Sequence, residues 1–406
     1  MFHSQKVLAQ TSRRLLHTQV GQDPLPRIVG VVGTTGVGKT KLGVELARAV
    51  PSLAAHPDPG RSAPDSRLAP IAEVINSDSM QFYKGFDIMT NKTTPREMQG
   101  VKHHLFNILE PDQSYSVQDF ESDGLKLIRD LWQRSAVPIF VGGSDYFLRH
   151  LIFGHGSTSK PASSWGSMGQ RQEQAPRQVE PKEANSSGTH RYTTLIFWPY
   201  AETSVLNKNL DDRVDKMVEL GLLEEVEQMW ALQGRNLETA DWSKGVFQSI
   251  AELKKTLIDQ IGYKQLLPYI SSRHGSSILP QLLLEAGIER TKTATRRYAQ
   301  LQIDRLKNAL LPTVKGLQDP AKVTVVMLDA TDLTRWEENV RQPAQAYLRA
   351  FLANEPLPDP TSLSPLAERH LSGIPLHQPG SERMVDPSAS VADLLAFDHA
   401  TRNFKQ

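Results

Sequence analysis

Gly33-Thr34-Thr35-Gly36-Val37-Gly38-Lys39-Thr40 fills every position of the pattern G-x-x-x-x-G-K-[ST]. Each residue type has a physical task there. Gly36 and Gly38 let the backbone turn its N–H groups inward around an anion. A helix starting near Lys39 directs the positive end of its dipole at the same spot. Lys39 places a full charge on a phosphate, and the Thr40 hydroxyl suits Mg2+. Just upstream, Ile28 to Val32 is a short apolar run rich in β-branched residues, as a buried parallel strand requires. Just downstream, Leu42, Leu46 and Ala49 recur at helical spacing. Strand, glycine loop and helix therefore follow in the order a diphosphate or triphosphate site needs. The motif does not say which of the two it holds.

Working outward, Ile71 to Ile75 is a second strand, with Asn76-Ser77-Asp78-Ser79 beyond its end. Ser116 caps a helix predicted from Val117 to Trp132. Val137 to Val141 is a third strand with a tight exit at Gly142-Gly143. The alternation predicts an α/β fold: a P-loop NTPase-like parallel sheet flanked by helices, with a mainly helical second region. Ligands of such sheets sit beyond the carboxyl ends of the strands, where Gly33, Asp78 and Ser144 all fall. Asp78 is a candidate base or metal-water ligand beside a bound diphosphate. Its position fits a helix cap or turn aspartate equally well. Gly142-Gly143-Ser144 suits either a second phosphate nest or a plain turn.

Five regions follow from composition. Residues 1–26 hold Lys6, Arg13 and Arg14 with no acid before Asp23, the composition of a mitochondrial transit peptide or of a mildly basic tail. Residues 27–154 form the phosphate-binding half. Residues 155–190 have almost nothing to bury and are expected to be a disordered linker. Residues 191–330 complete the core, with strands at Thr194–Trp198 and Val323–Leu328. Helices are predicted there over Leu210–Trp230, Phe247–Ile258 and Ile278–Leu310. Residues 331–406 read as a C-terminal extension, partly disordered and rich in Pro and Ser beyond Leu357.

The 406 residues carry a net charge of +1, which argues against a uniformly basic coat but permits a local basic groove. Zero cysteines exclude disulfides, thiolate catalysis and Cys-based zinc sites. No apolar stretch approaches the roughly 18 residues of a membrane span, so no membrane association is expected. His103 and His104, adjacent in an extended segment, point to opposite faces and cannot readily clamp one metal. On a helix, Arg290, Thr293 and Arg297 share one face, and Glu289, Lys292 and Arg296 another. That segment suits RNA phosphates or a solvated surface about equally.

The P-loop, E-V-I-N-S-D-S-M-Q-F-Y-K-G-F-D-I-M-T-N-K from Glu73 to Lys92, and V-K-H-H-L from Val101 together resemble the tRNA dimethylallyltransferase family. So do Y-S-V-Q-D-F from Tyr115, I-F-V-G-G-S-D-Y-F from Ile139, and L-D-D-R-V-D-K-M-V-E-L-G-L-L-E-E-V from Leu210. The later G-V-F-Q-S-I, I-G-Y-K-Q and T-R-R-Y-A keep the family's order. The resemblance implies transfer of a dimethylallyl group from its diphosphate to N6 of adenine-37 in tRNA, by a monomer in mitochondrion, cytoplasm or both. It implies Asp78 as general base and Ser144, where the family usually has Thr, as a hydroxyl on the reacting oxygen or diphosphate. Gly33 to Thr40 would cradle the diphosphate and Mg2+. Ser79, Gln81, Lys92, Arg296 and Arg297 would meet tRNA, with Gln81 reading the flipped-out base. The sequence departs from the family at 155–190, at the insertion Ala251–Ile261, and at Tyr298-Ala-Gln-Leu-Gln302, where Gln300 and Leu301 replace basic residues. Those departures leave a catalytically weak tRNA-binding paralogue as an alternative, alongside an adenylate prenyltransferase and, on the P-loop alone, a small-molecule kinase.

Overall fold

The computed structural model describes residues 26–53, 71–111, 113–143, 145–153, 192–232, 260–273, 280–317 and 322–372. Strand β1 (Arg27–Val32) lies inside a sheet completed by β2 (Ala72–Asn76), β3 (His103–His104), β4 (Val137–Gly142), β5 (Thr193–Tyr200) and β6 (Val323–Asp329). The order is β3-β2-β4-β1-β5-β6, with every neighbouring pair parallel. A strand buried on both faces must be apolar where it is buried, and β1 is, from Ile28 to Val32. Val29 and Val31 turn to one face, Ile28 and Val32 to the other.

Helix α1 (Lys39–Leu53) presses Leu42, Leu46, Ala47 and Val50 onto the first face. It comes close because Gly43 has no side chain: a Cβ there would lie 2.5 Å from Cγ2 of Val141. Across the sheet lie α2 (Val117–Gln133) and α3 (Asp145–Phe153). Ser116 and Asp119 form a reciprocal capping box at the start of α2, as the sequence predicted. The second half adds α4 (Thr203–Glu219), α5 (Leu222–Leu232), α6 (Tyr263–Arg273) and α7 (Pro280–Arg305). A π-turn at Leu306–Leu310 follows α7. Finally α8 (Gln342–Ala353) packs Ala344, Tyr347 and Leu348 against the α1 face, and α9 (Pro365–Leu371) packs Leu366, Ala367 and Leu371 on the opposite one.

Two expectations need correction. The helix predicted over Leu210–Trp230 is two helices, because Gly221 adopts φ +109° between α4 and α5. An apolar periodicity that runs on through the break hid it. The C-terminal extension is no appendage as far as Ser372: Trp336, Val340, Tyr347, Phe351 and Leu371 are all core residues of the unit that begins at Arg27. Strand β1 pairs with β4 on one side and β5 on the other, so residues 27–154 and 191–330 share one sheet. The predicted linker at 155–190, the helix at Phe247–Ile258 and residues 1–25 lie outside the described residues.

Candidate active site

The glycine loop leaves β1 and closes at the start of α1. Gly36 and Gly38 sit at φ +86° and +84°, conformations an L side chain rarely adopts. Neighbours also press on both. A Cβ on Gly36 would lie 2.8 Å from Leu210, and one on Gly38 would lie 2.6 Å from the Trp336 ring. Trp336 is pinned in turn, its indole N–H donating to Glu45 at 2.8 Å and Lys41 lying 4.3 Å from its ring centroid. Val37 is buried beneath the loop.

Lys39 Nζ donates to the Thr34 carbonyl at 2.6 Å, and burial lowers its pKa to about 8, against the pull of Asp78 and with help from Arg213. Among the described residues the buried hydroxyls of Thr34 and Ser77 have no hydrogen-bond partner, which suits a polar ligand in and beside the cup. The Thr35 N–H donates to Oε1 of Gln302 at 2.9 Å. Thr40 lines a narrow cleft with Gln81, Thr93, His103 and Phe106.

Asp78 takes the cap position, and its carboxylate also lies within the field of the cup's cations. Its carboxylate accepts from the Met80 N–H at 3.1 Å, capping the 3-10 turn Ser79–Phe82. Asn76 holds the backbone, accepting from Asp78 N–H at 2.9 Å and donating to the Asp78 carbonyl at 3.1 Å. Burial pushes the Asp78 pKa up, and the Met80 N–H, Lys39, Arg213 and the Gly143 N–H pull it back. The carboxylate therefore faces the cations of the cup. Oδ2 lies 3.5 Å from where a Cβ on Gly143 would sit. Gly142 and Gly143 are glycines for close approach: a Cβ on Gly142 would meet Ser77 Oγ at 2.3 Å. Ser144 itself lies outside the described residues.

Sequence reasoning passed over three residues here. Arg213 of α4 faces Asp78 and Lys39, and burial lowers its pKa to about 10 against the attraction of Asp78. Tyr298 of α7 titrates well above the usual range, first through burial and then through the negative charge of Asp78. Gln302, one turn further on, touches both Thr35 and Gly143. Arg213 stood inside a quoted motif, but residue type alone does not say which way a helix faces.

The expected tRNA contacts divide. Ser79 is partly exposed at the start of its turn, and Arg297 is exposed on α7. The amide nitrogen of Gln81 donates to the carbonyls of Thr90 and Asn91, at 3.3 and 3.1 Å. Lys92 is the clear correction. Its ammonium is buried and donates to the carbonyls of Tyr83 and Gly85, to Asp87 and to Asn107, all within 2.8 Å. It staples the loop after the 3-10 turn and presents no charge to RNA. Arg296 likewise pairs with Asp211, and Lys292 with Asp215 at 2.8 Å, so both fasten α7 to α4. His103 and His104 do not form a metal pair: His104 Nε2 meets Glu73, while His103 Nδ1 faces the carbonyl of Val101 two residues before it.

Among the described residues no cluster of three or more His, Cys, Asp or Glu could hold a metal ion. No helix among them is long and apolar enough to cross a membrane.

Comparison with known proteins converges on one family. A family model described as IPP transferase matches residues 81–183 and 168–309, more than half of the chain. A tRNA dimethylallyltransferase of Saccharomyces cerevisiae is 29% identical over 371 residues, covering 82% of this chain and 77% of its own. That of Schizosaccharomyces pombe is also 29% identical, covering 79% and 78%. A solved eukaryotic dimethylallyltransferase acting on tRNA superposes with a TM-score of 0.62 at 26% identity, over 89% of this chain and 87% of that one. The P-loop cup, the strand-end carboxylate facing it and the matched segments agree: this chain belongs to the IPP transferase family.

Proposed function

We propose that the protein transfers a dimethylallyl group from dimethylallyl diphosphate to N6 of adenine-37 in tRNA. One observation carries the reading: the recessed Asp78 carboxylate, anchored by Asn76 and Met80, faces Lys39 and Arg213 across the glycine loop. Those two cations and the loop N–H groups can stabilise the charge that a diphosphate leaving group gains as its C–O bond breaks. The adenine nitrogen forms the new bond to the same carbon, and Asp78 takes the proton that this nitrogen must lose. A carboxylate whose pKa is raised is a better base for that step than an exposed one.

The Thr40 hydroxyl and the donor's own oxygens would hold Mg2+, which would share the leaving group's charge. Reliance on ligand oxygens fits a site that has no carboxylate cluster among the described residues. Adenine has to leave the anticodon-loop stack to reach this depth, at a cost of about a few kcal/mol. On the composition of residues 1–26 we place this activity in the mitochondrion, the cytoplasm or both; a fluorescent fusion to that segment reports the compartment. We further take the enzyme to act as a monomer.

The test is direct. Purified protein, tRNA carrying A37, dimethylallyl diphosphate and Mg2+ should yield N6-dimethylallyladenosine at position 37, detected in nucleoside digests. Absence of product beside an active control enzyme would overturn the reading. Product from AMP but not from tRNA would replace it with adenylate prenylation.

A further inference from the structure

Gln302 has no counterpart in the chemistry just described, yet it occupies the middle of the site. It projects from α7 and is only 5% exposed. Both halves of its amide are engaged, and across different loops. Oε1 accepts from the Thr35 N–H in the cup at 2.9 Å, and Nε2 donates to the Gly143 carbonyl beyond β4 at 2.9 Å. The Gly143 N–H in turn faces Asp78. Thr35, Gln302, Gly143 and Asp78 thus form one continuous line from phosphate loop to base.

The geometry selects this residue type. The bridge needs an acceptor and a donor about one amide apart, on a side chain long enough to reach from α7, without charge beside Asp78. Glutamate accepts but does not donate, methionine does neither, and asparagine is too short. Gly143 is matched to it, since a Cβ there would lie 2.5 Å from Gln302 Nε2. Helix α7 is itself tied to α4, the carrier of Arg213, by Arg296–Asp211 and Lys292–Asp215.

We propose that Gln302 is a positioning residue for the prenyl transfer: it fixes the separation between the diphosphate cup and Asp78, and so links helix α7 to the donor site. This rests on the reading of Asp78 as the base, but the cup half of it can be tested alone. Gln302 itself touches neither the reacting carbon nor the proton.

Two variants and three readouts decide it. Gln302→Met keeps length and burial while removing the bonds to Thr35 and Gly143, together with the one to the Tyr298 hydroxyl; Gln302→Glu keeps the acceptor toward Thr35 and loses the donor toward Gly143. Inorganic diphosphate with Mg2+, titrated by calorimetry, should bind tenfold or more weakly to Gln302→Met, with Gln302→Glu weaker again because it adds negative charge. The kcat of Gln302→Met should fall between about tenfold and a hundredfold, as for a displaced catalytic geometry. Releasing the Gly143 N–H from Asp78 should move the acid limb of the pH–rate profile to higher pH, since that N–H lowers the Asp78 pKa. Diphosphate affinity within twofold of the parent overturns the inference whether or not the parent transfers a prenyl group. So does a lowered melting temperature with kcat and pH limb unchanged per folded molecule. An inactive parent whose diphosphate binding still depends on Gln302 would sink the prenyl-transfer reading and leave the bridge standing.

Discussion

The cup and the wall that closes it are built on opposite principles. The cup is eight consecutive residues, Gly33 to Thr40, whose conformation is set by local glycines and a helix start. The wall is Arg213, Tyr298, Gln302 and Trp336, brought from three distant segments by tertiary packing. A contiguous motif can be recognised in a sequence because spacing is its geometry. A wall assembled from separate helices has no spacing to recognise. Chemistry needs both, since an open cup would leave the leaving group and the base in water.

The largest effect expected falls where cup and wall meet. Asp78→Asn keeps a capping oxygen for Met80 but removes the base, so kcat should fall by about 10^2 to 10^4. Stability should not fall with it. The folded pKa of Asp78 is raised, so the fold favours its protonated form, and that contribution is lost as pH rises from the ordinary carboxyl range through the folded pKa. At pH 7 the neutral asparagine should therefore melt at the same temperature or higher. A melting temperature that drops in step with kcat would show Asp78 to be only a cap.

Trp336 tests the wall from its far side. Trp336→Ala removes a ring packed on Gly38 and should cost about 3 kcal/mol or more in urea unfolding. Diphosphate affinity should weaken in the molecules that remain folded, because nothing then holds Gly38 from behind. Trp336→Phe, which loses the Glu45 hydrogen bond but keeps a ring, should fall between the two.

Smaller effects separate the two kinds of lysine and arginine. Lys92→Met should lower stability by about 2 kcal/mol by removing the buried donor to the Tyr83 and Gly85 carbonyls, while the salt dependence of tRNA binding stays put. Arg297→Gln should do the reverse, with an unchanged melting temperature and a salt slope smaller by about one. If Lys92→Met instead alters the slope, its assignment as an internal staple is wrong.

What could be read in advance follows the same division. The strands at Ile28, Val137 and Val323 announced themselves because residues buried on both faces must be apolar, and Ser116 announced α2 because a cap is a local hydrogen bond. The break at Gly221 stayed hidden, since Leu220, Leu222 and Leu223 continue an apolar rhythm through it. Lys92 was assigned to RNA for its charge, yet burial among carbonyls is a property of the folded loop. Gln302 stood at the end of a quoted segment, but its role was hidden: a neutral residue in a helix looks like a surface position until Thr35 and Gly143 arrive on either side of it.

The place of β1 in the sheet sets a timetable for biosynthesis. One edge of β1 pairs with β4, but the other waits for β5, which begins only at Thr193. A nascent chain that has released the P-loop and the first strands thus carries an open edge of unpaired backbone groups, flanked by apolar side chains from Ile28 to Val32, until the second half emerges, the circumstance in which chaperones are recruited and nascent chains aggregate. A chain stopped before Thr193 would contain the whole phosphate motif and still be unable to fold around it.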